Sequence, residues 1–176
     1  MTPSLLAAAR SAGLDVAECP LLVLEEPALL EPPAGYAIEI LPRDSHHLGE
    51  VGAAVHAGFA GTDEVGEARD GSGVAGRIEA GLTTLGGAIE IKDHGLGAAA
   101  GGGSHNPRGT TTELVGIAVI PRARRIGLGA AIASALVADA ERLGIDTVFL
   151  SAQDEAVARV YERVGFRRVG TACIAG

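Results

Sequence analysis

Apolar and polar positions along the 176-residue chain fall into blocks that predict its elements. Residues 4–12 (SLLAAARSA) favour a short helix stopped by Gly13, and Leu14 to Leu24 then gives a strand within PLLVLEEP. Pro27, Pro32 and Pro33 mark a linker. Tyr36 to Leu41 (YAIEIL) alternates as a half-buried strand does. Asp44 or Ser45 is placed to cap a helix whose inward face is Leu48, Val51, Val55 and Phe59. Gly61 to Gly73 is acidic and glycine-rich, a loop or a broken helix, and Ser72 can cap a helix with Val74, Ile78 and Leu82 inward. Ile89 to Ile91, a turn at Lys92 to Gly95, and Leu96 to Gly103 predict a hairpin. Ser104 to Thr110 is expected to be a loop, and the run Ala98 to Gly103 (AAAGGG) is too brief for a linker.

The stretch that organises the rest is Glu113 to Gly129. Glu113 to Ile120 (ELVGIAVI) has the β-branched content of a strand inside a sheet, and Pro121 ends it, having no N–H for the ladder. Leu128, Ile132, Leu136, Ala140 and Leu143 recur at helical spacing, with Gly144 as the stop. Between strand and helix lies Arg124-Arg125-Ile126-Gly127-Leu128-Gly129. Its glycines permit a tight turn and a close approach to the backbone. Unpaired N–H groups and the dipole at the start of the helix suit a diphosphate, with Arg122, Arg124 and Arg125 adding charge. Downstream, Thr147 to Leu150 predicts another strand, and Val157, Tyr161 and Val164 share one helical face.

Composition narrows the classes. The length suits one ordinary domain with a sizeable core. A formal charge of −8 with few aromatics argues against a nucleic-acid partner. Cys19 and Cys173 show no C-x-x-C and no metal-ligand spacing, so neither a zinc site nor a disulfide framework is predicted. Arg10 interrupts the N-terminal apolar run, leaving no signal-peptide core or membrane span, and the expected compartment is the cytoplasm. The five histidines show no catalytic spacing; His105, in the loop before the central strand, is read as a solvated loop residue ahead of one that reaches a substrate.

Arg-x-x-Gly-x-Gly after a strand ending in Val-x-Pro resembles the acyl-CoA loop of the GNAT N-acetyltransferase superfamily. Asp154 to Phe166 resembles that family's Asn-x-x-Ala-x-x-Leu-Tyr-x-x-x-Gly-Phe segment, with Asp154, Val157 and Val160 replacing its Asn, Ala and Leu. The resemblance covers roughly residues 35–176. It implies an α/β fold of the α+β type: a mixed, mainly antiparallel central sheet flanked by helices, with the cofactor in a cleft between two central strands. Residues 1–34 are then an N-terminal helix–strand extension and linker, and 35–176 the acyltransferase domain. The family commonly has two strands after the Gly-Phe, where this chain has length for one. The strand around Leu21 to Leu24 is therefore expected to cover the open sheet edge or to pair with a neighbouring subunit.

What the resemblance implies chemically is an acetyl-CoA-dependent N-acetyltransferase acting on a primary amine, small molecule or peptide, in a ternary complex. Tyr161 would protonate the departing thiolate, and Glu113 is the candidate general base. A backbone N–H of Ile117, Ala118 or Val119 would polarise the thioester carbonyl. The diphosphate would rest on the N–H groups of Arg124, Arg125, Ile126, Gly127, Leu128, Gly129 and Ala130. Asp154 takes the place of an asparagine that contacts the cofactor arm, or it caps the helix. Asp63, Glu64, Glu67 and Asp70 lie where the family usually receives its acceptor, and favour a cationic amine unless they are a solvated loop. The family is often dimeric, and the mean hydropathy of +0.28 leaves room for an apolar interface. The alternatives are a non-catalytic acyl-CoA-binding sensor and a toxin-like member that acetylates charged tRNA.

Overall fold

The computed structural model describes residues 3–175, with side chains from residue 6. Met1, Thr2 and Gly176, the ends of the two expected segments, lie outside the described residues. The elements run α1 (Pro3–Ser11), β1 (Val16–Leu24), β2 (Tyr36–Leu41), α2 (Leu48–Ala60), α3 (Ser72–Glu79), β3 (Thr84–Lys92) and β4 (Gly95–Arg108). They continue with β5 (Thr111–Val119), a 3₁₀ turn (Pro121–Ala123), α4 (Leu128–Arg142), β6 (Thr147–Ser151), α5 (Glu155–Glu162) and β7 (Phe166–Ala175). The strands form one seven-stranded sheet in the order β2-β3-β4-β5-β6-β1-β7. Every pairing is antiparallel except β5 with β6, which α4 joins as a parallel crossover. This is the mixed, mainly antiparallel sheet flanked by helices that the sequence predicts. No helix among the described residues is long and apolar enough to cross a membrane.

Two helices cover opposite faces of the sheet. A Cβ on Gly86 would meet Leu136 of α4, whereas one on its neighbour Gly87 would meet Val51 of α2 at 2.7 Å. Successive strand residues point to opposite faces, so α2 and α4 sandwich the sheet. The larger apolar cluster centres on α4, with Leu128, Ile132 and Leu136 against Val148, Leu150 and Leu22. Leu41, Val51 and Ile89 anchor a smaller one that includes the start of α2.

The stretch AAAGGG is the middle of β4, buried in the sheet from Ala99 to Gly103. Cβ atoms at Gly101, Gly102 and Gly103 would collide with Ala118, Val51 and Ile117. Glycine is there because α2 and β5 press on the strand, a reason that low β propensity hides. For the same reason Ser104 to Arg108 continue β4 and are not the loop that their composition suggests.

The N-terminal strand corrects the expectation more deeply. β1 neither caps an open edge nor waits for another subunit: it lies between β6 and β7, antiparallel to both. Leu22 on β1 is fully buried. The proline-rich linker is also tied down. The Ser134 hydroxyl donates to Ala28 O and its Oγ accepts from Leu30 N–H, both at 2.9 Å. Glu25 N–H bonds Gly165 O, and the chain passes so close there that a Cβ on Gly165 would overlap Glu26 O.

Other expectations shift by small amounts. α2 begins at Leu48 after a turn in which Ser45 Oγ accepts from His47 N–H, so Ser45 serves the turn before the helix. Gly71, not Ser72, precedes α3. Phe59 and Leu82, expected inward, are exposed.

Candidate active site

β5 and β6 pair over three residues only, Thr111 with Thr147, Thr112 with Val148 and Glu113 with Phe149, and then part. Two features of β5 promote the parting. Gly116 has φ +65°, and the register with β4 slips between Gly102 and Ser104, a bulge that bends β5. Below the fork a buried polar chain holds the strands in place. Thr112 Oγ1 bonds His105 Nδ1 at 3.0 Å, and His105 Nε2 bonds Asp139 Oδ2 at 3.1 Å. Burial alone would raise the pKa of Asp139, but hydrogen bonds from Arg142 and His105 outweigh it and hold the carboxyl low. His105 is fully buried, so it is neither a solvated loop residue nor within reach of a substrate. It pins α4 to the sheet.

The fork opens into a cleft of about 340 Å³ whose lining includes Glu113, Ile117, Gln153, Val157 and Tyr161. Glu113 and Tyr161, far apart in sequence, are thus brought to one opening. They come from different sides of the sheet. Thr112 points to the α4 face, so Glu113 next to it points to the α2 face; Tyr161 rides on α5, which packs against α4. Glu113 is half-buried and has no hydrogen-bond or ion-pair partner among the described residues. Tyr161 is nearly buried, edge-on to Phe166 with ring centroids 6.2 Å apart. Burial pushes its phenol up to about 12, so it stays protonated across the neutral range.

A second cavity of about 370 Å³ shares Phe59, Ile117 and Gln153 with the first and extends it past Ala118 and Val119 to Arg124. Ile120 N–H bonds Ala100 O of β4, so by the alternation of an antiparallel ladder the backbone of Val119 faces away from β4. Its carbonyl accepts from Arg124 Nε at 2.9 Å, and its N–H points the same way, toward the parted side. Beyond it the 3₁₀ turn leads to Arg125 at φ +63° and Gly127 at φ +92°, which together swing the chain into α4. Gly127 is the helix N-cap and makes no side-chain cap bond, so the N–H groups of Leu128, Gly129 and Ala130 lack intrahelical acceptors. The side chains of Leu128 and Ala130 are buried, which leaves only their backbone to a ligand.

Two expected contributors are placed differently, and a third takes the second of its two expected roles. Arg122 turns from the loop to the acidic segment: its N–H bonds Asp63 Oδ1 at 2.8 Å and its guanidinium bonds Asp63 O and Glu90. Arg124 bridges Gly58 O and Val119 O, holding α2 to β5. Asp154 caps α5, accepting from Val157 N–H at 2.8 Å. The carboxylates at 63, 64 and 67 border two other cavities, and none of them, nor Asp70, lines the cleft with Glu113 and Tyr161. Phe59 and Gln153 were not foreseen as site residues. Phe59 belongs to an apolar helical stripe indistinguishable in sequence from core.

The comparisons bear on this geometry. A GCN5-related N-acetyltransferase from Kribbella flavida is 21% identical, with a TM-score of 0.68 over 98% of this chain and 63% of its own. One from Sphaerobacter thermophilus is 18% identical, with a TM-score of 0.71 over 99% of this chain and 56% of its own. A tandem GNAT protein from the clavulanic acid biosynthesis pathway is 17% identical, with a TM-score of 0.63 over 99% of this chain and 59% of its own. The chain therefore spans less than two thirds of the length of these structures, and at such identities they speak for the fold. No curated protein matches it. Residues 76–166, from α3 to the first residue of β7, match the family model described as acetyltransferase (GNAT) family. That match spans more than half of the chain and contains the fork, the glycine turn and α5; this chain belongs to the GNAT acetyltransferase family.

Proposed function

We propose that this protein transfers an acetyl group from acetyl-CoA to a primary amine by direct attack within a ternary complex. The observation that carries the reading is the parting of β5 from β6. It gives the half-buried carboxylate of Glu113 and the protonated phenol of Tyr161 one shared opening, continuous with a channel toward the free amides of α4. The donor fits what is there. The first amides of α4 suit its diphosphate, and the exposed backbone edge of β5 suits an extended amide-bearing arm.

In this reading Glu113 accepts a proton from the ammonium, directly or through water, so that a neutral nitrogen attacks the thioester carbon. The N–H of Val119 donates to the carbonyl oxygen and stabilises the charge that develops there. As the carbon–sulfur bond breaks, the sulfur leaves with the electron pair and Tyr161 supplies its proton. Glu113→Gln lowers kcat/KM about a hundredfold while coenzyme A binds the variant as it binds wild type. An unchanged rate would remove Glu113 from the mechanism.

The reading as a whole is tested by calorimetry with coenzyme A and by thiol release from acetyl-CoA across a panel of amines. Coenzyme A binding with amine-dependent thiol release supports it. Binding with no thiol release favours an acyl-CoA sensor instead, and no binding sinks both.

A further inference from the structure

Beyond Ala152, whose N–H bonds Pro20 O, the sheet continues as a two-stranded ribbon in which residues 16–19 of β1 pair with β7 alone. Ile174, paired with Ala17, stands on this ribbon and lines the cleft of Glu113 and Tyr161. Phe59, in the last turn of α2, lines the same cleft. Both are large apolar side chains left exposed, Ile174 at 47% and Phe59 at 64%. Among the described residues the cleft has one carboxylate, Glu113; Ser151 and Gln153 are uncharged. The acidic residues expected to recruit a cation line cavities that share no residue with it.

From this geometry we infer that the acceptor is a primary amine bearing an aliphatic or aromatic substituent close to its nitrogen, seated between Phe59 and Ile174, and not a polyamine or other polycation. The inference rests on the transfer reaction proposed above. One carboxylate answers one ammonium. The further charges of a polycation would be carried against apolar walls with no counter-charge, losing hydration without compensation. An apolar substituent instead removes water from two side chains that the fold leaves uncovered.

The test is the initial rate of thiol release from acetyl-CoA with hexylamine, phenylethylamine and spermidine, on wild type, Phe59→Ser, Ile174→Ser and Phe59→Leu. Wild type should favour the two apolar amines over spermidine by about tenfold in kcat/KM, which is about 1.4 kcal/mol. Each serine variant should lose most of that preference and Phe59→Leu should keep it, with thermal unfolding midpoints unchanged because both positions are exposed. A preference for spermidine, or an apolar preference indifferent to both serine variants, overturns the inference and leaves the transferase reading standing. Absence of thiol release with every amine overturns both together.

Discussion

Tyr161→Phe lowers kcat for thiol release from acetyl-CoA about a hundredfold, while coenzyme A binds the variant as it binds wild type. The size follows from what positioned general acids contribute. The selectivity for kcat follows from the change itself, which deletes one oxygen and keeps the ring against Phe166 and the apolar lining of the cleft. Burial holds the phenol's pKa at about 12, so the proton is present at neutral pH. That proton neutralises the negative charge that develops on sulfur as the carbon–sulfur bond breaks. Phenolate absorbance gives an independent check: the signal lost in Tyr161→Phe should titrate near 12 in wild type. A variant with wild-type kcat would return Tyr161 to the role of a packed aromatic. An unchanged kcat combined with weaker coenzyme A binding would make it a cofactor contact.

Deletion of residues 1–33 leaves a chain that does not fold. β1 is an interior strand, so removing it takes the ladder partner from β6 and β7 at once. Leu22, fully buried in the larger apolar cluster, goes with it. Replacing one such leucine with alanine alone costs about 2–5 kcal/mol, against a typical domain stability of about 5–15 kcal/mol. The lost strap over Ser134 and Gly165 adds to this. Circular dichroism and size-exclusion chromatography are the readouts, and a soluble, cooperatively unfolding truncated monomer would refute the expectation. Supplying the strand as a separate peptide should restore native-like chromatography if its pairing is what is missing.

Much of the site was legible because its signals are local. Pro121 stops a strand, Gly127 admits a left-handed turn, and an apolar stripe from Leu128 makes a helix; each property belongs to a residue and its near neighbours. Tyr161 and Asp154 were placed by a motif whose spacing is that of one helix, and Asp154 caps that helix as such a residue does. Strand partners carry no comparable mark. Nothing within VAECPLLVL says that it enters between β6 and β7, because pairing depends on which edges remain free when the rest has assembled.

By itself, then, the sequence determined most of the turns, helices and strands, and it held the two segments that resemble the family's motifs. Tertiary structure alone decided what those pieces meet. Crowding by Val51 and Ile117 makes AAAGGG a central strand, a buried Asp139 takes His105 out of solvent, and the course of the 61–71 loop carries its carboxylates away from the cleft. Backbone preference acts over a few residues, whereas burial and charge depend on neighbours from distant parts of the chain.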